Sequence, residues 1–408
     1  YFLSTVKYMQ TLIETYQRLL AEIRPSYRRR FYDEFTLDSR LTGIVGARGV
    51  GKTTFLINYL REHYSGSDQA LYFSADNLYF FEHTLLETAD RLVKEFDTKL
   101  LCIDEIHRYK NWNQELKNIY DSYPKLAVIF SGSSSLDLIK GRYDLSRRAN
   151  LKTMHGFSFR EFLEIKTTAK YPALTLKEIL ANHQEYAQKL MKTPKLLGYL
   201  KEYFKTGYYP TFLELAGDQA YQNSLRGIID KIIFEDISSL YSLKTSNLAA
   251  LKKIVYFFAT VQPGSVNINR LANSLKKDHT TIAEYVQILK DAGLLRFLLK
   301  NKQGHALVRN AEKIYLDNSN LLYAVNAEIG KEPLTGAVRE LFVLGNLQNA
   351  GYHAFYSEVG DIECNGSVLE IGGKNKDFSQ LKNTALGYLV KDDILIGGPK
   401  TIPLYLFG

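Results

Sequence analysis

Cysteine is scarce in this chain of 408 residues: only Cys102 and Cys364 occur, and they form no CxxC pair. A disulfide framework and a zinc ribbon are therefore not expected, and a reducing, cytoplasmic setting fits best. Long apolar runs are missing too. No stretch reaches the roughly 18 uncharged apolar residues of a membrane span, so no membrane partner is expected. The apolar N-terminus raises the question of a signal peptide, but Lys7, Glu14 and Arg18 interrupt it. Phe2, Val6, Met9, Ile13, Tyr16, Leu20 and Ile23 recur at alternating steps of four and three, which predicts one amphipathic helix ending near Pro25. The chain starts without a methionine, so a few preceding residues are expected.

What is present is an ordinary globular balance, 45% hydrophobic and 24% charged, in a chain too long for one core. The formal charge is +8, and most of it is local. Between Ser246 and Asn310 ten Lys/Arg (Lys252, Lys253, Arg270, Lys276, Lys277, Lys290, Arg296, Lys300, Lys302, Arg309) face three acids (Asp278, Glu284, Asp291), an excess of +7. Such a block suits an anionic partner such as DNA, and equally a solvated lysine face.

The sharpest local signal is "GIVGARGVGKTTFL" at 43–56. Gly46, Ala47, Arg48, Gly49, Val50, Gly51, Lys52 and Thr53 fit G-x-x-x-x-G-K-[ST], with Thr54 following. Glycines let consecutive N–H groups turn inward around phosphates. The lysine supplies a point charge, and the hydroxyl of Thr53 ligates Mg2+. An apolar "LTGIV" before it and a helical "KTTFLINYLREHY" after it give the required strand–turn–helix setting. Further on, "KLLCIDEIHRY" reads as a buried strand ending in Asp104 and Glu105. An aspartate there can hold Mg2+, and the glutamate can polarise a water, which favours ATP hydrolysis over transfer to a second substrate. "LAVIF" then ends in "SGSSS", making Ser133 a candidate for the γ-phosphate with Ser131 close behind. Arg147 and Arg148 follow, and "SFRE" at 158–161 is a capping box opening a helix. An arginine here could act as a finger in a neighbouring subunit's site or simply sit at the surface.

These motifs, with "FSFREFL", "YFKTGYYPTFLE" and "LEIGGKNK", resemble AAA+-like P-loop ATPases of bacteria and archaea that carry a C-terminal domain of unknown function. The resemblance implies an α/β fold throughout: a P-loop NTPase core with a parallel sheet, a helical lid, a winged helix-turn-helix, and a small restriction-endonuclease-like module. Relatives similar to this chain tend to have a Gly-Arg pair where Ser146-Arg147-Arg148 stands here. The finger is thus open among Arg142, Arg147 and Arg148, with Arg148 preferred.

The expected organisation is an N-terminal helix and linker over 1–40, the ATPase core over 41–170, a helical lid over 171–245, a winged helix over 246–330 and the nuclease-like module over 331–408. In the fourth segment, helix "HTTIAEYVQILKDAGLL" is expected to be capped by Thr281 with Glu284 and stopped at Gly293. "LLRFLL" and "ALVR" are expected to pair as the hairpin. In the fifth, Glu340, Asp361 and Glu370 resemble the acids that bind a catalytic metal in restriction-endonuclease-like folds. Those folds keep a lysine two residues after the second acid, where this chain has Gly372, with Lys374 and Lys376 beyond. Three functions follow as expectations: Mg2+-dependent ATP hydrolysis driving a switch or motor on DNA or protein, in an ATP-dependent homo-oligomer; an ATP-gated metal-dependent nuclease; and an ATP-binding interaction module with little turnover.

Overall fold

The computed structural model describes residues 2–65, 67, 69–133, 145, 147–264, 268–301 and 311–408. Arg142, Lys302 and Arg309 lie outside them, as do the side chain of Ser133 and the "ALVR" segment. The chain divides into two compact units, Tyr1–Gly156 and Phe157–Gly408.

The first unit opens with helices α1 (Phe2–Glu22) and α2 (Arg30–Glu34), then strand β1 (Leu41–Gly46) and helix α3 (Lys52–Tyr64). β2 (Ala70–Ser74), α4 (Leu85–Phe96), β3 (Leu100–Asp104), α5 (Trp112–Ser122), β4 (Ala127–Ser133) and β5 (Ala149–Thr153) follow. The five strands are all parallel, in the order β2-β3-β4-β1-β5. β3 is buried along its whole length, which is why "LLCID" reads as a continuous apolar run rather than an alternating one. Helix α1 buries Met9 and Tyr16 of the predicted face together with Leu12, which lay outside it, while Ile13 and Leu20 are half-buried. Because β4 stands between β1 and β3, the end of β4 lies between the loop after β1 and the acids after β3. That order builds the site.

The second unit begins with α6 (Phe159–Thr167), opened by the reciprocal capping box of Ser158 and Glu161. Helices α7 (Leu176–Leu190), α8 (Leu196–Thr206) and α9 (Asp218–Lys231) follow, the last running into a π-helical turn over Ile232–Ile237. Next come α10 (Thr245–Thr260), α11 (Ile268–Leu275) and α12 (His279–Asp291). β6 (Leu295–Lys300) pairs antiparallel with β7 (Ala311–Leu316), so the return strand of the hairpin is "AEKIYL". Helix α12 is capped by Asp278, whose side chain accepts the Thr281 amide. The Thr281–Glu284 capping box is therefore not formed: Asp278 is an acceptor placed one turn earlier, and it takes the N-cap. The helix ends at Asp291, two residues before Gly293 at φ 74°. Helices α13 (Ser319–Glu328) and α14 (Thr335–Asn349) lead to strands β8 (Ala354–Tyr356), β9 (Ile362–Cys364), β10 (Ser367–Gly372), β11 (Gly387–Lys391) and β12 (Thr401–Pro403). One mixed sheet, ordered β12-β11-β10-β9-β8-β6-β7, takes in both this last stretch and the β6–β7 hairpin.

Candidate functional site

Gly46 ends β1, and Ala47, Arg48, Gly49, Val50 and Gly51 form the turn into α3. Gly49 at φ 86° and Gly51 at φ 96° adopt the left-handed conformation that a Cβ would penalise. Lys52, Thr53 and Thr54 make the first turn of α3, where helix N–H groups and the helix dipole favour an anion. The Lys52 ammonium is buried and folds back to donate to the carbonyls of Gly46 at 2.9 Å and Ala47 at 3.0 Å.

Asp104 terminates β3 and is only 2% exposed. Its Oδ2 accepts the Thr53 hydroxyl at 2.5 Å and the Tyr72 hydroxyl, from the neighbouring strand β2, at 3.0 Å. Its Oδ1 accepts the Ser131 hydroxyl from β4 and the Glu105 amide at 3.1 Å. Burial and then the Asp104 charge push the Tyr72 phenol far above its ordinary pKa, so it stays a donor. Hydroxyls from α3, β2 and β4 thus converge on one carboxylate at the mouth of the loop. Hard oxygen donors of this kind suit Mg2+, with Thr53 and Asp104 as the residues that would hold it.

Glu105 follows at φ 50°, ψ 38°, a left-handed conformation rare for a side chain with a Cβ. Its carboxylate is partly exposed, and His107 Nε2, on a buried ring, lies 3.5 Å from Glu105 Oε2. Ser133 is opposite Gly46 in the β1–β4 register, at the same end of the sheet as the loop. Ser131, two residues earlier on β4, is bonded to Asp104.

Arg148 stands elsewhere. It immediately precedes β5, whose first residue Ala149 is level with Leu41 at the start of β1. The phosphate loop leaves the other end of β1, so Arg148 is at the opposite end of the parallel strands from its own loop. There it forms a two-pronged pair with Asp121, both bonds 3.0 Å. Arg147 is exposed.

In the second unit, Glu340 on α14, Asp361 ahead of β9 and Glu370 on β10 are gathered around lysines. Lys313 of β7 donates to Glu340 Oε2 at 2.7 Å and to Asp361 Oδ1 at 2.8 Å. The Tyr315 hydroxyl adds a bond to Glu340 Oε2 at 2.5 Å, and the Ile371 amide one to Asp361 Oδ2 at 2.8 Å. Glu370 pairs with Lys376. A Cβ built on Gly372 would lie 2.5 Å from the Cβ of Lys376, so the Lys376 stem fills the space a side chain at 372 would take. Among the described residues, no group of three or more His, Cys, Asp or Glu has the arrangement of a metal site.

Sequence reasoning missed Tyr72, His107, Asp121 and Lys313. The apolar run at 70–73 carried a tyrosine pointing at an acid on the next strand, which only the register reveals. Lys313 sat just past the segment read as the end of the hairpin.

Two family models match parts of the chain. Residues 38–163 match a family model described as an AAA domain, and residues 197–332 match a domain of unknown function, DUF8612. Two uncharacterized proteins of Methanocaldococcus jannaschii are similar. MJ1637 is 28% identical over 66% of this chain and 59% of its own length; MJ1544 is 24% identical over 85% and 75%. The chain thus spans about three fifths of the former. Among solved structures, AMPPCP-bound DnaA from Aquifex aeolicus is 17% identical with a TM-score of 0.27, over 68% of this chain and 86% of that one. The Aeropyrum pernix ORC1 protein in complex with DNA is 13% identical with a TM-score of 0.29, over 78% and 92%. No described helix is long and apolar enough to cross a membrane. The strand–loop–helix around Lys52 and the acids after β3 both lie within residues 38–163, the stretch that matches the AAA domain.

Proposed function

We propose that the first unit binds Mg2+–ATP and hydrolyses it, and that the chain uses the cycle as a nucleotide-dependent switch or motor. The observation that carries this reading is the 2.5 Å bond between Thr53 Oγ1 and Asp104 Oδ2, which brings the loop's hydroxyl and the strand's acid to one point beneath the phosphate loop. Lys52 turns from its two carbonyls to the phosphates, Thr53 and Asp104 hold the metal, and Glu105 orients the attacking water. Bound Mg2+ would offset negative charge on the phosphate oxygens. Tyr72 and Ser131 fix the Asp104 carboxylate, and Ser133, at the end of β4, is the candidate for the γ-phosphate.

Arg148 is too far from its own loop to assist in the same chain, so its contribution belongs to a homo-oligomer, in which it leaves Asp121 for a neighbour's γ-phosphate. Arg148→Ala should then keep ATP binding, lose most turnover, and regain part of it on mixing with Lys52→Ala chains. Full activity as a dilute monomer would remove Arg148 from the reading.

The partner is DNA or a protein, and the basic block now favours DNA less. Lys252 pairs with Asp230, Arg296 with Asp317, and Lys300 with Glu312 and Glu358, all acids outside the block. On α12 the exposed positions are His279, Thr280 and Glu284. A salt titration of duplex DNA binding tests this directly, since phosphate contacts give a steep slope. Nuclease activity is disfavoured, because Lys313 already serves as the cation of Glu340 and Asp361. Steady-state ATP turnover with and without Mg2+ tests the main reading. An interaction module with little turnover is the outcome if ATP binds and Glu105→Gln changes no rate.

A further inference from the structure

Arg29, just ahead of α2, is buried, with 7% of its surface exposed. One terminal nitrogen of its guanidinium donates to the carbonyl of Val50, in the phosphate loop, at 2.8 Å. The other donates to the carbonyls of His155 at 2.8 Å and Gly156 at 2.9 Å. One planar fork therefore ties the loop to the last two residues of the first unit, beyond which the chain enters the second at Phe157. Taking a guanidinium out of water is costly, and three carbonyl acceptors offset part of that cost. Packing alone would need no charge there.

A second contact runs beside the first. The Met154 amide donates to the Val45 carbonyl at 2.7 Å, and a Cβ on Gly46 would overlap the Met154 carbonyl oxygen. The loop thus rests on residues 154–156 at two points, Gly46 and Val50. Gly46 is also one of the two residues whose carbonyls hold the Lys52 ammonium. A lysine that turns to a phosphate releases that carbonyl, and backbone amides that close on the anion reorient the peptide planes around Val50. Both changes act on the points that bear on 154–156.

We propose that Arg29 is a positioning residue that couples loading of the phosphate loop to the segment 154–156, through which the first unit leads into the second. This rests on the reading of the loop as a nucleotide site. The test uses the full chain, with Mg2+ and a non-hydrolysable ATP analogue as the probe. Amide hydrogen exchange is followed in a peptide covering 153–158, and analogue affinity is measured separately by competition with a fluorescent nucleotide. In the parent, loading should slow exchange in that peptide by about fivefold or more, the lower range of ordinary coupling between sites. Arg29→Met should bind the analogue with near-parental affinity and lose the slowing. Arg29→Lys keeps the charge but has one ammonium for both ends of the fork, so it should recover less than half of the effect. If Arg29→Met fails to fold, Arg29→Lys carries the test, and full recovery there contradicts the fork. A parent that binds the analogue without a change at 153–158, or an Arg29→Met variant that keeps the change, overturns the coupling and leaves the nucleotide site standing. A parent that binds no analogue overturns the nucleotide reading, and the coupling with it.

Discussion

In the first unit the buried carboxylate of Asp104 is met by the hydroxyls of Thr53, Tyr72 and Ser131 and by the Glu105 amide. In the second, Glu340, Asp361 and Glu370 are met by the ammonium groups of Lys313 and Lys376. Both regions gather acids beside a sheet, and a residue list would rank the second, with three, as the richer metal site. The partners reverse that order. A hydroxyl donates to a carboxylate without cancelling its charge, and it can rotate to share that oxygen with a metal. An ammonium supplies the charge itself and occupies the position a divalent ion would need. The number of acids at a site therefore says less than what neutralises them.

The largest effect expected on this contrast is from Lys52→Ala. The loop loses its point charge, and ATP affinity should fall by about a hundredfold or more, since a charge-assisted contact to phosphate is worth roughly 3 kcal/mol. Competition with a fluorescent nucleotide measures it. Close behind is Glu105→Gln, which should leave binding near parental and cut turnover by about 10²-fold or more, the usual worth of a positioned base.

Lys313→Met attacks the other side of the comparison. Two carboxylates lose their shared cation, and the second unit should lose about 3 kcal/mol, as when one partner of a buried pair is removed. The same variant should gain what the parent lacks: Mn2+ should raise its unfolding temperature while leaving the parent's second unit unchanged. A parent stabilised by Mn2+ as strongly as the variant would break the contrast.

The smallest effect is a pH slope. Burial raises the Glu340 carboxyl above its ordinary range, Asp361 adds to the shift, and Lys313 and Tyr315 oppose it. Burial likewise raises Glu370 against the pull of Lys376. Between the ordinary glutamate pKa and these raised values, the folded chain holds protons the unfolded chain has released. Stability contributed by these two groups is therefore present at lower pH and lost as pH rises through that window. Glu340→Gln should flatten the fall, read from urea midpoints of the second unit at a series of pH values.

The sequence was most legible where chemistry is local. The glycines and Lys52 adjoin one another, and Asp104 and Glu105 end an unbroken apolar run, so loop, helix and acids are readable without the fold. The Ser158–Glu161 box is local in the same way, and it forms as read. What stayed hidden depends on register or on choice between near-equivalent partners. Tyr72 meets Asp104 only because β2 lies beside β3. Ser131 meets Asp104 only because β4 lies beside β3 in the sheet order. Asp278 takes the cap of α12 because it stands where the chain turns into the helix. Lys376 replaces the expected lysine through space, by crossing over Gly372, a substitution that spacing in sequence does not display.

Protein-bound Mn2+ in the full chain, measured by equilibrium dialysis with and without ATP, tests the contrast between the two acid sites most directly. The expected result is ATP-dependent binding of one ion per chain, lost in Asp104→Asn and kept in Asp361→Asn. Binding that needs no ATP, survives Asp104→Asn and disappears in Asp361→Asn would contradict it.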